Sequence, residues 1–75
     1  MSSYHFLRVF RQVVGLTPYQ YLLRLRLHRA ALRLRRTTEP VSAVAFESGF
    51  GDLSTFNRRF RRVIGVSPLL YRARR

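Results

Sequence analysis

The chain has 75 residues, and its 15 basic residues, all arginine, outnumber three acidic ones to give a formal net charge of +12. This length allows one small domain, the absence of cysteine excludes disulfides and thiol chemistry, and no apolar run reaches the roughly 20 residues of a membrane span. So much positive charge on so small a chain predicts a polyanionic partner, either nucleic acid or an anionic membrane surface.

The first predicted helix covers about residues 3–14. Phe6 and Phe10 are spaced as on one side of a helix, and Arg8 falls on the other side. Gly15 is expected to end this helix, because glycine readily takes the positive φ found after a helical C-terminus.

A second helix is predicted from about residue 18 to 36. Thr17 is a typical N-cap residue, and Pro18 suits the first helical position. At 1.5 Å per residue, a helix of roughly 19 residues spans about 28 Å. Helical spacing without a breaker is kept by the apolar residues Leu23, Leu27, Ala30, Ala31 and Leu34.

Two further helices are predicted over residues 41–48 and 53–63, with a tight turn between them. Gly49 allows the sharp change of direction, and either Gly51 or Asp52 caps the second helix. A glycine and a Ser-Pro pair follow that helix and predict a short C-terminal helix. The helix over 53–63 is basic on one side and apolar along Phe56, Phe60, Val63 and Ile64.

This second half follows the plan of a helix-turn-helix, in which two helices are joined by a short glycine-containing turn. Phe50 is expected to fill the gap between the two helices. The predicted fold class is therefore all-α, of the homeodomain-like three-helix type. In this plan the second helix lies in the DNA major groove, with its N-terminal residues against base edges. A plain helical hairpin with a solvated arginine face is the alternative.

A repeat displaced by 50 residues argues against the plain hairpin. Residues 6–24, FLRVFRQVVGLTPYQYLLR, align without a gap with residues 56–74, FNRRFRRVIGVSPLLYRAR, and nine of the 19 pairs are identical. Arginines recur at the same offsets from the same phenylalanines. A helix face that is only solvated does not require such a recurrence. The long helix between the copies, at about 28 Å, is comparable with the roughly 34 Å of one DNA turn.

A set of residues at fixed offsets runs through the second half: Val44-Ala45, Gly49-Phe50, Ser54, Phe56, Phe60-Arg61, Gly65, Pro68 and Tyr71-Arg72. In these residues and their spacing, the chain resembles the C-terminal DNA-binding domain of AraC/XylS-family transcription regulators. The resemblance continues upstream through residues 2–34. It implies sequence-specific DNA binding in transcription regulation. It also implies a partial first helix-turn-helix with its linker helix in residues 1–36 and a complete second one in residues 37–75.

The resemblance also predicts a departure from the family. The first unit of the family domain begins with two helices before its recognition helix, whereas residues 3–14 of this chain align with that recognition helix itself. The two earlier helices are therefore expected to be absent. Phe6, Phe10, Val13 and Leu27 are then expected to lose part of their cover, at roughly 2 kcal/mol for each large side chain fully exposed.

Base contacts in the second unit are predicted from the start of the helix over 53–63. Arg58 is the strongest candidate, because it lies one turn into the helix and arginine pairs with guanine O6 and N7. Its alternative is a phosphate contact. Asn57 suits adenine, but its direction is left open by its neighbour Phe56. Ser54 and Leu53 lie where groove contacts cluster, although Leu53 suits the core equally well.

In the first unit, the resemblance assigns the matching base-contact positions to Tyr4, Leu7 and Arg8, with Leu7 suited to a thymine methyl group. Phosphate contacts, which set register but carry no sequence information, are predicted for Arg11, Arg61 and Arg62.

Catalysis and metal binding have little support in the sequence. The two histidines, His5 and His28, are isolated, and the three carboxylates form no constellation with a nucleophile or base. We expect no enzymatic activity, no metal site, no cofactor and no small-molecule ligand. The predicted partners are double-stranded DNA and, as a further candidate, RNA polymerase, and the predicted location is the bacterial cytoplasm.

Two rival interpretations stay open. The basic amphipathic stretch over residues 19–36 suits non-specific binding to polyanions or to a membrane surface. Such binding, however, needs neither the repeat nor the Gly-Phe turn. The other rival is a remnant that acts only by pairing with a full-length relative.

Overall fold

The computed structural model describes residues 3–74, which form five α-helices. They are α1 (Ser3–Val14), α2 (Pro18–Arg36), α3 (Val41–Glu47), α4 (Leu53–Ile64) and α5 (Pro68–Ala73). No β-strand occurs in residues 3–74, and the predicted all-α fold is confirmed. The predicted helix ends agree to within one residue: α3 stops one residue earlier than expected, and α4 continues one residue further.

Side-chain caps fix where α2, α4 and α5 begin. The Thr17 hydroxyl accepts a hydrogen bond from the Gln20 backbone N–H at 3.1 Å, and the Gln20 side chain accepts one from the Thr17 N–H at 3.0 Å. Simpler caps are provided by Asp52 and Ser67, which accept backbone N–H groups of the first turns of α4 and α5. The cap of α4 is therefore Asp52 and not Gly51.

Two glycines at equivalent positions of the repeat follow α1 and α4. Gly15 has a φ of 78° and Gly65 a φ of 104°. These left-handed conformations are cheap for glycine and costly for other residues, which explains why each helix stops there. The predicted ends at Gly15 and Gly65 are confirmed.

The core lies between α2, α3 and α4. Its completely or almost completely buried apolar residues are Leu27, Ala30, Ala31, Leu34, Val44, Ala45, Phe56 and Phe60. The expectation that Leu27 loses part of its cover is wrong: none of its surface is exposed, because it belongs to the core cluster that α2 forms with α3 and α4. The linker helix α2 therefore contributes half of the buried core residues on which α3 and α4 pack. None of the helices in residues 3–74 is both long and apolar enough to cross a bilayer.

The fifty-residue repeat recurs in three dimensions as two ladders of aromatic rings. In the second copy, Phe60 lies 5.6 Å from Phe56 and 5.7 Å from Tyr71, measured between ring centroids. In the first copy the equivalent distances, from Phe10 to Phe6 and to Tyr21, are 5.9 and 5.8 Å. The two copies therefore share their packing as well as their residues.

The two ladders differ in what covers them. In the second copy, Phe50 from the turn after α3 adds a fourth ring 5.2 Å from Phe56, and Phe56 is completely buried. No described residue has the place of Phe50 in the first copy. There Phe6 keeps 52% of its surface exposed and Val13 keeps 79%. The expected loss of cover is confirmed for these two residues.

One guanidinium group ties α3 to α2. Arg33 donates hydrogen bonds to both carboxylate oxygens of Glu39, at 2.7 and 3.3 Å, and also pairs with Glu47. Glu39 precedes α3 and Glu47 is its last residue, so α3 is held to α2 at both ends. The Arg33 guanidinium lowers the pKa of the Glu39 carboxyl below its ordinary value.

Candidate nucleic-acid interface

All ten side chains predicted to contact DNA are exposed to solvent. They lie on two helices only, four on α1 and six on α4. The set comprises Tyr4, Leu7, Arg8 and Arg11 on α1, and Leu53, Ser54, Asn57, Arg58, Arg61 and Arg62 on α4.

The outer side of α4 is defined by its buried phenylalanines. Phe56 and Phe60 have no exposed surface and fix the inward direction. Arg58 lies two residues from each of them, which is about 200° around an α-helix, so it points away from the core. Ser54 lies one turn before Arg58 and Arg62 one turn after it. These three residues form one outward line along α4.

The outer side of α1 repeats this arrangement. Arg8 lies two residues from both Phe6 and Phe10, as Arg58 does from its phenylalanines. Tyr4, which keeps 74% of its surface exposed, lies one turn earlier. Gln12, also exposed, lies one turn later. The two helices thus present the same central arginine between different neighbours.

Each of these two helices borders an open groove against the start of the helix that follows it. The groove beside α1 has a volume of about 630 Å³, and the groove beside α4 about 380 Å³. Six pairs of residues related by the repeat line them: Leu7, Arg8, Arg11, Thr17, Pro18 and Tyr19 in the first, and Asn57, Arg58, Arg61, Ser67, Pro68 and Leu69 in the second. Two of the three arginine pairs that the repeat shares, Arg8 with Arg58 and Arg11 with Arg61, therefore line an open groove.

Two residues whose direction the sequence left open lie outside the core. Asn57 is exposed and lines the groove beside α4. Leu53 keeps 37% of its surface exposed, which does not support its assignment to the core. As the first residue of α4, it lies at the end of the helix where base contacts are predicted.

The carboxylates of the chain are engaged in structural contacts. Two of the three pair with Arg33. The third, Asp52, accepts hydrogen bonds from the backbone N–H and the hydroxyl of Thr55 at 2.7 and 2.8 Å. These bonds hold the pKa of Asp52 below its ordinary value, and the positive charge of Arg58 adds to the effect. In the part of the chain that the structure describes, no arginine on the outer side of α1 or α4 forms an ion pair with a carboxylate.

Two arginines that the sequence did not single out join this surface. Arg24 of α2 and Arg59 of α4 line a third groove together with Arg62. The sequence contains no signal for this cluster, because the start of α2 and the end of α4 meet only in the tertiary structure. The pairing of Thr17 with Gln20, by contrast, is a capping-box pattern that can be recognised in the sequence.

The remaining polar groups do not form a metal site. His5 on α1 and His28 on α2 are both exposed. Within residues 3–74, no three histidine, aspartate or glutamate side chains come together in a way that could hold a metal ion. The interface instead offers guanidinium, amide and hydroxyl groups, which form hydrogen bonds with phosphates and base edges.

Comparisons with known proteins agree with this arrangement. A family model described as a helix-turn-helix domain matches residues 1–74. The HTH-type transcriptional regulator Rv1931c of Mycobacterium tuberculosis is 43% identical over 72 residues, which cover 96% of this chain and 28% of that protein. The HTH-type transcriptional activator RhaS of an Enterobacter species is 48% identical over 61 residues, which cover 81% of this chain and 22% of that protein. The chain thus spans less than a third of the length of these relatives.

Two solved structures share the fold over nearly the whole chain. A transcriptional regulator from Chromobacterium violaceum, described as containing an AraC-type DNA-binding domain, has a TM-score of 0.92 at 30% identity, covering 97% of this chain and 65% of that one. The C-terminal domain of the response regulator yesN from Fusobacterium nucleatum has a TM-score of 0.82 at 29% identity, covering 96% of this chain and 70% of that one.

Proposed function

The chain belongs to the AraC-type helix-turn-helix family of transcriptional regulators, and from that premise we propose that it binds double-stranded DNA sequence-specifically in transcription regulation. The observation that carries the proposal is the pair of outward lines on α1 and α4. Each has an exposed arginine at the same place relative to the aromatic ladder, and neither arginine is bonded to a carboxylate.

In this proposal α4 is the main recognition helix and lies in the major groove. Arg58 contacts guanine, and Leu53, Ser54 and Asn57 complete the base contacts from the first turns of the helix. Tyr4, Leu7 and Arg8 make the corresponding contacts from α1. Phosphates are bound by Arg11, Arg61 and Arg62. The proposal assigns the chain no catalytic activity and no cofactor.

The dimensions of the molecule support contacts by both helices. Its longest extent is 44 Å between Cα atoms. One turn of DNA is roughly 34 Å long, so a molecule of this length can reach two successive major grooves on one side of a duplex. A DNA-binding role also implies the compartment that holds the chromosome, so the cytoplasmic location is part of the proposal. RNA polymerase remains the second predicted partner.

Binding to a membrane surface has less support. That interpretation requires the apolar side of α2 to be free to insert among lipids. Four apolar residues of α2 are instead buried in the protein core. Insertion of α2 would therefore expose the phenylalanines of α4 that pack on it, at a cost of roughly 2 kcal/mol for each one.

The proposal is tested by selecting binding sequences from a randomised duplex pool at physiological salt and sequencing the bound fraction. Two short motifs about one helical turn apart would support base contacts by both α1 and α4. A single short motif would restrict base reading to α4. Absence of any motif, together with binding that disappears as salt rises, would overturn sequence-specific binding and favour a non-specific polyanion-binding protein. Leakage of anionic lipid vesicles at low protein concentration would favour the membrane alternative.

A further inference from the structure

A third groove, which we call the junction groove, lies where the start of α2 meets the end of α4. It has a volume of about 220 Å³. Its least exposed residues are apolar and partly buried: Leu16, Leu23 and Val63. Exposed polar side chains from both helices surround them: Gln20 and Arg24 from α2, and Arg59 and Arg62 from α4.

The α4 arginines of the junction groove break the fifty-residue repeat. Arg59 and Arg62 correspond to Val9 and Gln12 on α1, although the arginines immediately beside them are matched in the first copy. The repeat accounts for the arginines that both copies share, but it does not account for the arginines at positions 59 and 62. Both line the recess between α4 and the start of α2, so the charge that the repeat does not account for lies at the junction groove.

Within residues 3–74, no acidic side chain pairs with the three guanidinium groups of the junction groove. The chain has three acidic residues. Two of them pair with Arg33, and the third caps the opposite end of α4. Three like charges around one small recess repel one another, so the entry of a polyanion into it is favoured.

The junction groove adjoins the proposed base-contacting surface. Arg62 belongs to both, since it lies one helical turn after Arg58 on the outward side and also lines the junction groove. When two recognition helices occupy successive major grooves on one side of a duplex, the minor groove midway between them faces the protein. The inference therefore rests on the proposed function, which supplies the two flanking contacts.

We propose that Arg24 and Arg59 enter this minor groove and give the protein a preference for A·T base pairs between its two major-groove contacts. A narrow minor groove, typical of A-tracts, has an enhanced negative potential that attracts arginine. A G·C pair adds the guanine N2 amino group to the minor groove, where it opposes a cationic side chain. The apolar residues of the recess can carry the aliphatic stems while the guanidinium groups extend outwards.

The test uses the full chain and duplexes that keep the selected motifs and differ only in the base pairs between them. The varied pairs are A·T, G·C or inosine·C. An inosine·C pair keeps the major-groove acceptors of G·C but lacks the minor-groove amino group. We expect the A·T and inosine·C duplexes to bind at least about threefold more tightly than the G·C duplex. If the selection returns one motif, the pairs flanking it on each side are varied in turn.

Substitutions assign the preference to the junction groove. Arg24→Gln and Arg59→Gln are expected to bring the A·T to G·C affinity ratio close to one while the motif preference persists. Arg29→Gln is the matched control, because it removes the same charge from α2 at an exposed position that lines a separate groove beside Glu47. It is expected to keep the ratio. Circular dichroism verifies that each variant is folded.

The possible failures are distinguishable. Equal binding of all three duplexes by the unaltered protein would overturn the inference and leave the proposed function intact. The same holds if the inosine·C duplex binds as weakly as the G·C duplex, since the preference would then not arise from the minor groove. If Arg24→Gln weakened binding to all three duplexes by the same factor, the arginines of the junction groove would be phosphate contacts, and the inference would be overturned. Failure to bind the motif duplexes at all would overturn both proposals.

Discussion

Arg58 combines an outward direction on α4 with a place on the wall of a groove beside Asn57 and Arg61. In the proposed complex it pairs with guanine, so its contribution to the binding free energy depends on the base that it contacts. We predict that Arg58→Ala weakens binding to the selected motif by about 1–3 kcal/mol and weakens binding to random duplexes by less. Competition binding against both kinds of DNA measures the difference.

The control for this prediction is Arg61→Ala on the same helix. A phosphate contact carries no sequence information, so this change should weaken binding to both kinds of DNA by a similar factor. If Arg58→Ala also causes equal losses, Arg58 is a phosphate contact and the reading of guanine must be assigned to another residue.

The stabilisation that Asp52 gives to the start of α4 depends on pH. Hydrogen bonds from Thr55 hold the pKa of Asp52 below its ordinary value. A carboxyl group whose folded-state pKa is lowered contributes stability that is fully present above the unfolded value of about 3.9 and is lost as the pH falls through the folded-state value. We predict that the melting temperature falls as the pH drops below about 4.

The variant Asp52→Asn separates this contribution from the rest of the acid response. Asparagine also caps helices well, but it does not titrate. The melting temperature of the variant should therefore fall less than that of the unaltered protein over the same acid range. Part of the fall should persist in both proteins, because the pKa of Glu39 is also lowered. Identical acid profiles would show that the cap contributes nothing that depends on its charge.

The turn between α3 and α4 depends on one of its two glycines. Gly49 has a φ of 92°, and a Cβ atom built on it would lie 3.5 Å from the Arg26 guanidinium. Gly51 lacks a positive φ and has open space around it. We predict that Gly49→Ala destabilises the protein by about 1–2 kcal/mol, the cost of a left-handed conformation for a residue with a Cβ.

Gly51→Ala is the matched control for this turn. It should be neutral, or should stabilise the protein by up to about 1 kcal/mol, because it reduces the freedom of the unfolded chain. Chemical denaturation of both variants gives the comparison. Similar losses from both would mean that the turn is sensitive to any side chain and not to the conformation of Gly49.

At the scale of the helices, the two copies of the repeat should differ in how much they contribute to stability. Phe56 is completely buried, whereas its counterpart Phe6 is half exposed. We predict that Phe56→Ala costs about 3–5 kcal/mol, through lost burial and a new cavity, and that Phe6→Ala costs about 1 kcal/mol. Urea denaturation measures both, and equal costs would show that α1 is packed as firmly as α4.

The helices themselves were predictable because their signals are local. Apolar spacing, the caps at Thr17 and Ser67 and the glycine stops determine each helix within its own stretch of sequence. The complete burial of Leu27 is not predictable in this way, because Leu27 belongs to a core cluster that includes residues of α3 and α4. The pairing of Arg33 with Glu47 and the cluster of Arg24 with Arg59 also join residues that are distant in the sequence.

The exposure of the ten proposed contact residues was predictable from the sequence, whereas the shape of the surface that they form was not. The repeat identified Arg8 and Arg58 as equivalent, and both prove to be exposed on outward sides. The grooves beside α1 and α4 depend on how the following helix packs, which no pattern in one helix encodes. The sequence leaves the direction of Asn57 equally open, and the structure shows it exposed beside a groove that residues 67–69 also line.

At the scale of the whole molecule, the charge should appear in the dependence of binding on salt. If about six arginines contact phosphates, the logarithm of the affinity should fall against the logarithm of the salt concentration with a slope of about −5. Titrations of a random duplex at several salt concentrations measure this slope. Replacing Arg61 and Arg62 together by glutamine should reduce its magnitude by about 2. A slope near zero would contradict the electrostatic account.

The fifty-residue repeat also bears on how such a protein acquires a new target over generations. The three rings of the aromatic ladder are identical in both copies, whereas the proposed base-contacting residues differ: Tyr4 corresponds to Ser54, and Leu7 to Asn57. Each copy therefore has its own set of proposed base-contacting residues on the same helical packing. If both copies contact DNA as proposed, substitutions in one copy would change one half of the target while the other copy still binds DNA, and evolution toward a new regulatory site would not require an inactive intermediate.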